Sequence, residues 1–164
     1  MIRFYPSVTE IEICRHIGSI RHRETSKQGT ERKQDDNQDS LEISFIGVIS
    51  EYAVAKYLNL NFDLNCDFRK FGADLISKKG SKIDVKCAKT ADGNLNAVAW
   101  SGSKDADIYI LTVLGNNYIG IVGWVSKENF IIDDNLKQGK NGEYYSLPQS
   151  ALIPFYEQSP KKTL

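Results

Sequence analysis

Residues 71–90, FGADLISKKGSKIDVKCAKT, decide how this chain is read. The period of two on either side of Lys79-Gly80 predicts a β-hairpin: Ile83, Val85 and Cys87 fill one face, and Asp84 and Lys86 project from the other. The same tight turn returns Asp74 to a place beside Asp84 on the adjoining strand. Aspartate is disfavoured in strands and two close carboxylates repel, so this placement is costly unless a cation sits between them. A divalent metal with hard oxygen ligands is the simplest neutraliser. Lys86 would then stand beside it, where an ammonium can orient or help deprotonate a water and stabilise charge on a phosphorane-like transition state. The plainer alternative is a solvent-facing hairpin with an Asp–Lys pair.

Upstream, FIGVISEYAVAKYLNL (residues 45–60) recurs at helical spacing, and Ser40 is placed to cap a helix running to about Leu58. At ~100° per residue, Glu51 has Gly47, Val48, Val54, Ala55 and Leu58 as wheel neighbours, which puts its carboxylate in the middle of the apolar face. A carboxylate there needs a cation, a donor or a raised pKa. A structural salt bridge to a buried Lys or Arg would also answer that need.

An earlier helix is expected from Val8 to Glu24, opened by the capping box Ser7-Val-Thr-Glu10. Residues 25–40, TSKQGTERKQDDNQDS, hold no hydrophobic residue and read as a mobile, solvated connection. Beyond residue 90, AVAWS (97–101) reads as a strand and DIYILTVLGNNYIGIVGWV (107–125) as a hairpin turning at Gly115 to Asn117. SKENF (126–130) reads as a short helix and YYSLPQSALIP (144–154) as a final edge element. Helices first and tightly turned strands later indicate an α/β (α+β) fold, a mixed sheet flanked by helices. A length of 164 residues indicates one domain, 1–164.

The 41% hydrophobic and 26% charged composition is that of a globular protein. The start MIRFYPSVTE lacks a signal-peptide core and no apolar run reaches ~20 residues, so a cytoplasmic location is expected. Three cysteines without C-x-x-C spacing indicate neither a disulfide framework nor a zinc knuckle. His16 and His22 fall on different faces of the first helix, and no G-K-[ST] loop indicates ATP use. Trp100 and Trp124 read as core or edge residues.

Formal net charge is zero, but it is unevenly spread. Arg15 to Lys33 and Cys66 to Lys89 are basic, whereas acids gather in DDNQD and at Asp133-Asp134. Lys89, Thr90, Ser101, Ser103 and Lys104 follow the charged strand and are candidate phosphate contacts. Arg21, Arg23, Lys27, Arg32 and Lys33 are candidates for an arm over DNA.

Glu51 on a helix, then Asp74, nine residues, and Asp84-Val85-Lys86 resembles the PD-(D/E)XK nuclease superfamily over roughly residues 41–114. Gly72-Ala73 stands where the name-giving proline would be. The resemblance implies a restriction-endonuclease-like core and a metal-dependent nuclease. Glu51, Asp74, Asp84 and the Val85 carbonyl would hold Mg²⁺ or Mn²⁺, and Lys86 would assist the attacking water. It implies nucleic acid, DNA first, as the partner, is compatible with a homodimer, and places such compact nucleases often in phages and mobile elements. The alternative is a non-catalytic nucleic-acid-binding or structural module on the same core.

Overall fold

The computed structural model describes residues 1–29, 39–67 and 72–156. Helix α1 spans Val8–Lys27, and the expected capping box is present: Ser7 Oγ accepts from the Glu10 N–H, and the Glu10 carboxylate accepts from the Ser7 N–H. Helix α2 spans Ser40–Leu58. Its cap is Asp39 rather than Ser40, with Asp39 Oδ1 accepting from the Leu41 N–H at 2.9 Å. An acidic cap here also complements the positive end of the helix dipole. The helix ends at Asn59, which takes the left-handed conformation (φ 52°) that stops the coil. Most of the expected mobile connection, residues 30–38, lies outside the described residues, as do Arg32 and Lys33.

Strand β1 (Ile2–Phe4) precedes α1, and β2 (Leu75–Ile76), β3 (Lys82–Ala88), β4 (Leu95–Val98), β5 (Ile108–Leu114) and β6 (Ile119–Ser126) follow α2, with β4 set apart from the others. After helix α3 (Lys127–Phe130) come β7 (Leu136–Gly139), β8 (Gly142–Leu147) and β9 (Ile153–Pro154). The main sheet has the order β1-β6-β5-β3-β2, with β9 also on β6, and a second sheet has the order β4-β8-β7. Strands β3 and β5 are parallel, and every other pair is antiparallel. A parallel pair needs a long crossover. Here it runs through β4 and a 3₁₀ turn, Ala99–Ser103.

The fold is thus a mixed α+β arrangement, as expected. The AVAWS segment is only half a strand, because the chain winds into the 3₁₀ turn at Ala99. The final element likewise divides, since Pro148 interrupts it and a 3₁₀ turn (Gln149–Ala151) leads to β9. Strand β1 is too short to show a period.

Strand β5, buried along most of IYILTVL, is covered on both faces. On one face Val54 and Ala55 of α2 pack with Leu75, Ile83, Ile110 and Ile121. On the other, Tyr109, Leu111 and Val113 pack with Leu95 and Ala97 of β4 and with Phe130. Helix α2 is itself sandwiched: Val48, Ile49 and Ala53 also bury against Cys14 and Ile17 of α1. Gly18 makes the close approach possible, because a Cβ there would stand 3.0 Å from the Phe45 backbone. Among the described residues no helix is long and apolar enough to cross a membrane.

Candidate active site at the β2–β3 hairpin

The hairpin turns where the sequence places it. Gly80 sits at φ 88°, its N–H donating to the Ser77 carbonyl at 2.9 Å, and Leu75 pairs with Ile83. One step beyond, the Asp74 N–H donates to the Ile83 carbonyl at 2.9 Å, so Asp74 stands opposite Asp84. The Val85 N–H donates to Asp74 Oδ2 at 2.8 Å. That bond fixes the carboxyl across the hairpin instead of leaving it to solvent.

Asp84 is completely buried. It lies on the sheet face turned away from α2, paired in register with Tyr109 of β5. A carboxylate so placed demands partners, and among the described residues it has two: Lys86 pairs with Oδ2 and Lys104 with Oδ1. Burial disfavours its charge, but the two lysines outweigh burial and hold the carboxyl below its usual range. Asp74 differs. Burial first, and then the charge of Asp84, push its carboxyl up, against the pull of Lys104, Lys86 and the Val85 N–H.

Glu51 approaches from the helix side. Its Oε2 accepts from Arg21 Nη1 at 2.6 Å, and Arg21 Nη2 donates to the Asp63 carbonyl at 3.0 Å. Burial and the charge of Asp74 still raise the Glu51 carboxyl to about 7 despite Arg21, with Asp84 adding to the rise. Glu51 and Asp74 line one cleft of about 110 Å³ with Arg21, His22, Ser44 and Cys66. A second cleft of about 260 Å³, also lined by Asp74, takes in Asp63, Lys82 and Asp105.

The acids therefore share one electrostatic neighbourhood, but they do not meet at a point. Among the described residues no three His, Cys, Asp or Glu side chains are close enough, as placed, to hold one ion. The Asp74–Asp84 pair nonetheless fits a hard cation chemically. Its donors are all oxygen, Asp74 uses only Oδ2 for a hydrogen bond among the described residues, and buried Asp84 Oδ2 has its ion pair with Lys86 but no aligned donor. Mg²⁺ commonly takes one or two carboxylates and keeps several waters.

The candidate phosphate contacts divide. Lys89 and Thr90 are exposed just past the end of β3, and Arg23 is exposed on α1. Lys27 is exposed but pairs with Glu24 at 2.6 Å. Ser101 and Ser103 lie in the 3₁₀ turn, and their side chains are outside the described set. Two placements need correction. Arg21 turns inward onto Glu51 rather than outward as part of an arm, because a largely buried carboxylate on the facing helix draws it in. Lys104 is buried against Asp84 instead of standing on the surface. Sequence reasoning missed Tyr109, whose buried hydroxyl is pushed up first by burial and then by Asp84 and Asp74. A polar-tipped aromatic inside the apolar run IYILTVL was the only clue to it.

The profile of a protein family matches residues 3–121, which takes in α1 through the start of β6. The chain belongs to this family, DUF5843, a family of unknown function. The matched span holds Glu51, Asp74, Asp84, Lys86 and Lys104, and leaves out β7, β8 and β9. No curated protein matches the chain.

Proposed function

We propose that this protein is a metal-dependent nuclease with a restriction-endonuclease-like core, hydrolysing phosphodiester bonds in nucleic acid, DNA first. The observation that carries the reading is the facing pair Asp74 and Asp84 on one hairpin, with Lys86 on the same strand and Glu51 close enough to be raised by Asp74. Asp74 and Asp84, with the Val85 carbonyl and Glu51, would hold the Mg²⁺ or Mn²⁺. The bound ion supplies Lewis-acid polarisation of the phosphate and lowers the pKa of a coordinated water.

The protein's own groups do the rest. Lys86, a quarter exposed at its side chain, is the ammonium with access to solvent, and it orients the attacking water or meets the charge that develops on phosphate oxygens. Val85 N–H keeps Asp74 turned across the hairpin. Arg21 holds Glu51 in place and limits its protonation. Exposed Lys89 and Arg23 would bind backbone phosphates without reading sequence.

One observation favours a second reading. Arg21, Lys86 and Lys104 together balance Glu51, Asp74 and Asp84 with no metal at all. A module that keeps this charge network for folding, and binds nucleic acid without turnover, would look the same. The test incubates the protein with labelled single-stranded, duplex and branched DNA and with RNA, in Mg²⁺, in Mn²⁺ and in EDTA. Cleavage that requires metal supports the nuclease. Binding without cleavage, indifferent to metal, supports the module.

A further inference from the structure

Lys104 is a charged group of this site that neither the hairpin nor the proposed chemistry requires. Its ammonium is brought to Asp84 from outside the strand, by the 3₁₀ turn Ala99–Ser103. The delivery is built: Lys127 Nζ donates to the Lys104 carbonyl at 2.7 Å, and the Lys127 N–H donates to the Asp107 carbonyl at 2.8 Å. The Asp107 N–H in turn donates to the Lys82 carbonyl of β3 at 2.8 Å. A lysine only 8% exposed is rare unless its charge is paired. Lys86 already gives Asp84 one ammonium. The second lysine balances Asp74 as well, so the four groups sum to zero before any ion arrives.

We infer that Lys104 is a positioning residue that competes with the divalent cation for Asp84 and keeps the metal-free site closed, an inference that rests on the nuclease reading for the identity of the ion. A divalent ion entering this neutral, partly buried set leaves an excess of two positive charges beside the fully buried Asp84, where they are poorly screened. Withdrawal of the Lys104 ammonium removes one of them and frees Oδ1. Lys86 is the poorer candidate for this role, since it lies on the strand itself and its side chain reaches solvent.

The experiment titrates Mn²⁺ calorimetrically into the metal-free full chain, comparing wild type with Lys104→Met, Lys104→Gln and Lys104→Arg. The neutral variants should bind Mn²⁺ at least ~10-fold more tightly, and the arginine variant should stay near wild type. A merely structural lysine would lower the melting temperature of the neutral variants and leave their Mn²⁺ affinity unchanged. Lys104→Gln keeps a donor toward Asp84 and covers the case in which Lys104→Met does not fold. Equal affinities in all forms overturn the inference, and metal-dependent cleavage by wild type would then leave the nuclease reading standing. Tighter binding in the neutral variants without cleavage of any substrate keeps the Lys104 clamp and removes the nuclease. No Mn²⁺ binding in any form overturns both.

Discussion

Replacing Arg21 by methionine removes the cation that joins α1 to Glu51 of α2 while keeping most of the side-chain volume. The pair is a short charged hydrogen bond of 2.6 Å with side chains only 19% and 12% exposed, and the same guanidinium holds the Asp63 carbonyl at 3.0 Å. A hydrogen bond to a charged group is worth about 1.5–3 kcal/mol net, and stranding one member of a fully buried pair costs about 3–5 kcal/mol. Residual exposure and protonation of Glu51, whose carboxyl is already raised to about 7, discount the upper figure, so Arg21→Met should cost about 2–3 kcal/mol. In a chain of this size that is a fall in Tm of roughly 5–10 °C. The double variant Arg21→Met/Glu51→Leu should recover much of the loss, since the orphaned carboxyl is gone. Urea unfolding of the four forms in EDTA closes the cycle, with a coupling energy of at least about 1.5 kcal/mol expected. Additive single effects, with coupling under about 0.5 kcal/mol, would show that Arg21 and Glu51 do not act as a pair.

Gly18 is a point of close backbone approach between the two helices, so Gly18→Val should lower stability by more than about 2 kcal/mol even though glycine is the poorer helix former; an unchanged Tm would mean that the helices do not meet there. The Glu10 carboxyl is lowered chiefly by the Ser7 N–H, so its stabilisation is complete above its ordinary pKa near 4.5 and is lost as pH falls through the lower folded value. Glu10→Gln should therefore melt below wild type at pH 6 and approach it toward pH 3; a constant gap across that range would contradict the assignment.

Local patterns were legible wherever contacts are close in sequence. The Gly80 turn fixes the hairpin register, and that register alone sets Asp74 against Asp84. The capping box and the β5–β6 hairpin were readable for the same reason. Glu51 was legible as a buried charge that needed an answer, but its partner Arg21 lies 30 positions away, and a helical wheel knows nothing of the helix opposite. The wheel also assumed one apolar face, whereas α2 is buried on two sides. Lys104 looked like a surface phosphate contact because its burial depends on a 3₁₀ turn where β-spacing suggested a strand. The parallel pairing of β3 with β5 rests on a crossover with no local mark in the residues that pair.

Asp74→Asn tests the central claim most directly. An asparagine oxygen can still accept from the Val85 N–H, so the hairpin bond survives while the charge that would hold the ion is removed. Loss of repulsion from Asp84 should keep the metal-free melting temperature at or above that of wild type. Initial cleavage rates in Mn²⁺ on whichever substrate wild type cuts should then fall by at least ~100-fold. A variant that is folded, unaltered in melting and as fast as wild type would contradict an active site built on Asp74 and Asp84.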